Sequence, residues 1–131
     1  MRRQFLLFFL LVPFWVSGAQ AAEQPYTAAA FDKLLAARQP LAVVLHADWC
    51  PTCRAQAPVL KELAATPEFK NLTILVADFD TEKALRKTLN VSQQSTIVTF
   101  SGGREAARAS GYTDRDRLTS LLRTALPTGA K

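Results

Sequence analysis

The chain has 131 residues, 49% of them apolar, with 7 proline and 5 glycine. That is enough for one ordinary domain and short for two, and it excludes disordered, fibrous and low-complexity classes. The formal charge of +5 is spread over scattered side chains (Arg38, Lys61, Arg86, Arg104, Arg115, Arg123), with no basic run and no interleaved aromatics, so nucleic acid is not an expected partner.

The first 21 residues differ from the rest. Arg2 and Arg3 precede a 12-residue apolar run, Phe5 to Val16, and then the small-residue pattern Ala19-Gln20-Ala21. This is the layout of a secretory signal peptide, and the run is well short of the ~20 residues a spanning helix needs. Residues 1–21 are expected to be a cleaved signal and 22–131 the mature domain, with retention as an N-terminal anchor as the rival. Losing Arg2 and Arg3 leaves 14 basic against 11 acidic side chains, a charge of about +3. The layout looks bacterial and points to the periplasm.

In the mature part, Thr27 predicts a helix cap, with Phe31, Leu34 and Leu35 on one face and Pro40 ending the segment. Leu41–Ala47 is a β-branched apolar run of buried-strand type. Val59, Leu60, Leu63 and Ala64 then fall at helical spacing, with Pro58 inside that helix as a kink. Asn71–Asp80 reads as a second buried strand, and Ala84, Leu85 and Leu89 as a short helix capped by Thr81 or Asp80. Ser95–Phe100 is a third strand. Gly102-Gly103 signals a hairpin that returns over 104–109. Gly111 breaks the chain, and Thr113 opens a last helix with Asp116 as capping partner. Leu118, Leu121, Leu122 and Ala125 form its buried stripe; Pro127 and Gly129 end it. The alternation predicts an α/β fold with a central, mainly parallel sheet, an antiparallel edge hairpin and helices on both faces.

The chemistry sits in "HADWCPTCRAQAP", His46 to Pro58, which holds both cysteines of the chain, Cys50 and Cys53. A lone C-x-x-C can be a staple, half a metal clamp or a redox centre. A disulfide closing so short a loop restrains the unfolded chain very little, so a staple has little physical rationale. At a helix N-terminus, unpaired N–H groups and the helix dipole favour a thiolate at Cys50. Cys53 stands one turn further on, within bonding reach, as thiol–disulfide exchange requires.

The stretch "ADWCPTCRAQAPVLKEL" resembles the active-site segment of the thioredoxin family, including Trp49 before the first cysteine and Pro58 five residues after the second. "VSQQSTIVTFSGGRE", Gly111 and the final helix are similar too, so the resemblance covers nearly all of residues 26–126. It implies a thioredoxin fold, Cys50 as nucleophile, Cys53 as resolving cysteine and Trp49 beside the site, with Pro51 and Thr52 between the cysteines influencing the potential. It also implies protein disulfides as substrates, here those of exported proteins. A membrane thiol–disulfide reductase is then implied as electron donor. No cofactor is expected, and a monomer is. A reductase or isomerase is the expected type.

Three departures mark this chain. Ser95, before the matching Thr96, stands where the family has a cis-proline. A cis bond before a non-proline costs about 3–4 kcal/mol, so a trans peptide is expected there, with the Ser95 N–H or hydroxyl free to bond a thiolate. Val44 replaces a buried acid that moves protons around the second cysteine, and that acid's partner lysine is missing as well. His46, the only histidine, replaces an aromatic; it can pack beside the site, tune Cys50 or ligate a metal. The alternative function is a copper- or zinc-binding module built on Cys50 and Cys53, although two thiolates and one imidazole fall one short of a closed zinc site. A docking domain with weak activity is the third reading.

Overall fold

The computed structural model describes residues 22–129; the expected signal segment lies outside them. Five strands and four helices follow in the order β1 (Ala22–Pro25), α1 (Ala28–Ala36), β2 (Leu41–His46), α2 (Pro51–Ala64), β3 (Thr73–Asp78), α3 (Lys83–Leu89), β4 (Thr96–Ser101), β5 (Arg104–Ser110) and α4 (Arg115–Arg123), with a 3₁₀ turn over Pro67–Phe69. One sheet runs β1-β3-β2-β4-β5. β3 is parallel to both β1 and β2, whereas β4 runs against β2 as well as β5. The antiparallel character therefore extends one pairing inward from the Gly102–Gly103 hairpin, and the sheet is mixed.

Alternation along the central strand divides the core in two. Leu41, Val43 and Leu45 face a cluster completed by Phe31 of α1 and Leu85 and Leu89 of α3, which Cys50 and Cys53 join. Ala42 and Val44 face Leu60 and Leu63 of α2 and Leu118, Leu121 and Leu122 of α4. Residues 41–45 are all buried because helices cover both faces of β2. At ~2 kcal/mol for each large side chain taken out of water, this two-sided core is the main stabilising term.

Local signals set most element starts. The Thr27 hydroxyl accepts from the Ala30 N–H at 3.1 Å, and Gly102 and Gly103 both take positive φ (59° and 80°), as a tight two-residue hairpin demands. A side chain at Gly103 would press on the Leu35 carbonyl at 3.0 Å. α2 runs through Pro58 without ending.

Four expectations need correction. β1 went unforeseen: Ala22–Pro25 lacks apolar alternation and pairs only with β3 at the sheet edge. The second strand is Thr73–Asp78, shorter than Asn71–Asp80, because Asp78 Oδ1 accepts from the Asp80 and Thr81 N–H groups (2.8 and 3.0 Å) and turns the chain there. That turn also keeps Thr81 and Asp80 from capping α3, whose N-cap is Glu82 with no side-chain bond. α4 is capped by Asp114, which accepts from the Arg117 N–H at 3.0 Å, and not by a Thr113–Asp116 pair. It ends at Arg123, before Pro127.

Candidate active site

β2 leaves the sheet at His46, and α2 begins at Pro51 after four intervening residues. The turn is closed by the Cys50 N–H donating to the Ala47 carbonyl at 3.1 Å. Cys50 is the N-cap of α2: its Sγ accepts from the Cys53 N–H at 3.2 Å. Sulfur thus does what a serine or aspartate oxygen does at other helix starts, and Pro51, at the first helical position, sacrifices no N–H that the helix needs. Both cysteines are free thiols, Cys50 at 3% and Cys53 at 0% exposure.

Their environments push the two thiols apart. Burial works against ionising Cys50. It is outweighed by bonds from the Cys53 thiol, the Cys53 and Thr52 N–H groups and the Gln94 side chain, so the Cys50 pKa lies below the ordinary thiol value. Burial is the main cause that pushes Cys53 up to about 11; its bond to Cys50 adds to this, and the main-chain groups of Ala47 and Ser95 oppose it without prevailing. One thiol is thus the more readily ionised and its neighbour is held protonated.

The loop facing the pair is Gln93–Ser95. The peptide before Ser95 is trans, as expected, since no described bond is cis. Ser95 itself has φ +58°, a left-handed conformation that costs a non-glycine residue roughly 1 kcal/mol. Its N–H is given to the Leu45 carbonyl at 2.8 Å, and its own carbonyl accepts from the Gly111 N–H at 3.2 Å. The expected bond from Ser95 to a thiolate is thus secondary to a main-chain bond across to β2. Thr96 is buried, donating to the Gln93 carbonyl at 2.7 Å and paired with the Ser110 hydroxyl at 2.6 Å.

The remaining expected residues are distributed around this centre. Trp49 is 59% exposed, the only large hydrophobic side chain so placed among the described residues, and its indole N–H donates to Asp80 Oδ2 at 2.7 Å. His46 is paired through Nε2 with Asp48 Oδ1 at 2.9 Å, so the structure gives the imidazole to Asp48 and not to a thiol. Among the described residues, no group of three or more histidine, cysteine, aspartate or glutamate side chains is arranged to hold a metal ion. Val44 is 2% exposed and apolar, so its position supplies no acid.

Two residues near the site went unforeseen. Asp80, the partner of Trp49, lies 31 positions away in sequence. Gln56 is 1% exposed and donates through Nε2 to the carbonyls of Tyr112 (2.8 Å) and Ser95 (3.3 Å). The sequence did hold a signal for Gln56: it stands three residues after Cys53 and four before Leu60, in register with the buried stripe of α2.

A capping, low-pKa thiol one helical turn from a buried, protonated one defines a dithiol centre for thiol–disulfide exchange, carried on a mixed sheet flanked by two helices on each face. A family model described as Thioredoxin matches residues 23–124. The chain is 36% identical over 92 residues to the thioredoxin of Chlamydia pneumoniae, covering 70% of this chain and 87% of that protein. It is 37% identical over 76 residues to that of Chlamydia trachomatis, covering 58% and 72%. Among solved structures, Trxlp from Edwardsiella tarda EIB202 is 38% identical with a TM-score of 0.75, covering 77% of this chain and 98% of that one. The chain belongs to the thioredoxin family. It is a thiol–disulfide oxidoreductase of the thioredoxin type, and thioredoxins act on disulfide-bearing proteins.

Proposed function

We propose that this protein reduces or isomerises disulfides of exported proteins in the periplasm, with Cys50 as nucleophile and Cys53 as resolving cysteine. The observation that carries the roles is the asymmetry of the pair: Cys50 lowered at the helix cap, Cys53 raised by burial. The Cys50 thiolate attacks one sulfur of a substrate disulfide, and the other substrate sulfur leaves as a thiolate. Cys53 then gives up its proton and attacks Cys50 Sγ. The second substrate sulfur is released, and two electrons have passed from the dithiol to the substrate. In isomerisation a different substrate thiolate attacks the substrate sulfur of the mixed disulfide before Cys53 does, so that a new substrate disulfide forms and the Cys50 thiolate leaves. With Val44 in the core beside α2, no buried acid takes the Cys53 proton; the leaving substrate thiolate is the base that the chemistry provides.

Export is supported by the layout of residues 1–21, basic start, short apolar run and Ala-Gln-Ala. A reductase in that compartment needs electrons from a membrane thiol–disulfide reductase, which would restore the Cys50–Cys53 dithiol. The test is the reduction potential of the pair in metal-free glutathione buffers. The expected value lies between about −180 and about −270 mV, the range from disulfide isomerase to thioredoxin. A value near about −120 mV would make the protein an oxidant and overturn the reading. Amino-terminal sequencing of the exported protein is expected to start at Ala22; recovery of the chain with Met1 to Ala21 still attached would contradict cleavage.

A further inference from the structure

The buried face of α2 carries one polar side chain. Cys53, Gln56, Leu60, Leu63 and Ala64 form that face, and a carboxamide among them is costly unless its groups are bonded. Gln56 Nε2 is bonded twice, to the Tyr112 and Ser95 carbonyls. One side chain of the active-site helix therefore holds two segments distant in sequence, the loop before β4 and the chain just after β5. Those segments, with Thr52 from between the cysteines, line a groove of about 280 Å³ formed by Thr52, Gln93, Gln94, Ser95, Ser110 and Gly111. Its lining is polar and carries no charged side chain.

We infer that Gln56 is a positioning residue for exchange with protein disulfides: from inside α2 it fixes the loop before β4 and the chain after β5 beside the thiol pair. The inference rests on exchange at Cys50–Cys53. Gln56 touches neither the reacting sulfurs nor the substrate; it acts through the main chain of Ser95 and Tyr112. An apolar side chain of the same length would leave both carbonyls without that donor and free the loop from α2. The groups that bond Cys50 from its own helix end, the Cys53 and Thr52 N–H groups, would stay in place. The Gln94 bond to Cys50 comes from the freed loop, so exchange with a small disulfide falls modestly on losing Gln56, and exchange with a protein disulfide, which also rests against that loop, falls further.

The experiment compares wild type, Gln56→Met and Gln56→Glu in reducing insulin and in reducing dithio-bis-nitrobenzoate. For Gln56→Met, kcat/KM on insulin is expected to fall about tenfold, the size of one or two lost neutral hydrogen bonds, mainly through KM. The rate with the small disulfide is expected to fall less, by no more than about threefold, so that the ratio of the two activities drops. Gln56→Glu keeps the shape, and its buried carboxyl, when protonated, still donates one bond. It is expected to recover most of the insulin rate at acidic pH and to lose it as the carboxyl ionises, measured as the ratio of the two substrates. This second variant carries the test if Gln56→Met does not fold. A ratio of insulin to small-disulfide activity that matches wild type in the variants overturns the inference alone. A wild-type protein that reduces neither substrate overturns the exchange reading beneath it.

Discussion

The two sides of the thiol pair are built differently. One side is contiguous: Ala47 to Cys53 closes a turn, caps α2 with sulfur and places Pro51 at the first helical position, all within seven residues. The other side is assembled from a distance. Ser95 is fixed by Leu45 of β2, Gly111 after β5 and Gln56 of α2, and Gln94 reaches Cys50 from the same loop. The contiguous side supplies the more readily ionised thiol, Cys50. The assembled side depends on a buried amide, Gln56, and a left-handed serine, Ser95. The comparison teaches that the lowering of Cys50 is built mainly at one helix end, with Gln94 adding to it from a loop that only tertiary contacts hold in place.

Removing the local side has the largest effect. Cys50→Ser is expected to abolish turnover with every disulfide, while Cys53→Ser still attacks and accumulates a mixed disulfide visible on non-reducing gels; sustained turnover by Cys50→Ser would refute the assignment of roles. Next comes Ser95→Pro. A proline ring fixes φ near −65° and has no N–H, whereas Ser95 sits at φ +58° and donates to Leu45. Placing the residue that the family carries there is expected to destabilise this chain by about 2–3 kcal/mol in denaturant unfolding, and an unchanged midpoint would show that the loop is not held as described. Ser95→Gly works the other way. It relieves the left-handed strain and is expected to stabilise by about 0.5–1 kcal/mol, with the small-disulfide rate unaltered; a loss of stability would mean that the serine side chain itself supports the loop.

The smallest effect lies in the pH dependence of stability. Folding raises the Cys53 pKa to about 11, so the folded state favours its neutral form. That contribution is complete below the unfolded thiol value of about 8.5 and is lost as pH climbs from there towards about 11. Cys50 is shifted the opposite way, and its contribution is already complete above about pH 8.5. The stability difference between the reduced protein and its Cys53→Ala variant should therefore shrink across that window; a difference that grows with pH would reverse the sign assigned to Cys53.

The same division explains what could be read from the sequence. The Thr27 cap, the buried strand at Leu41–His46, the Gly102–Gly103 hairpin and the sulfur-capped helix are short-range features, each carried by neighbouring residues. The Trp49–Asp80 and Gln56–Ser95 bonds are not, because nothing near either end announces the other. Gln56 in particular looks like a solvent-facing residue of an amphipathic helix until its register with Cys53 and Leu60 is counted. Ser95 was legible as a departure from the family, but its positive φ comes from the three elements that grip it. His46 had three open roles, and its partner turned out to be the nearby Asp48, two residues on. The edge strand Ala22–Pro25 was invisible because only pairing with β3 makes it a strand.

The most direct test of the central claim, one activated and one withheld thiol, is a pH titration of thiolate ultraviolet absorbance in the reduced protein, repeated on Cys53→Ala. The account predicts two steps in the reduced protein, one below the free-thiol value of about 8.5 and one near about 11, with the upper step missing from the variant and the lower one retained but moved up by loss of the Cys53 thiol's bond. A single step near about 8.5 carrying both thiols, or a lower step that vanishes with Cys53, would contradict it.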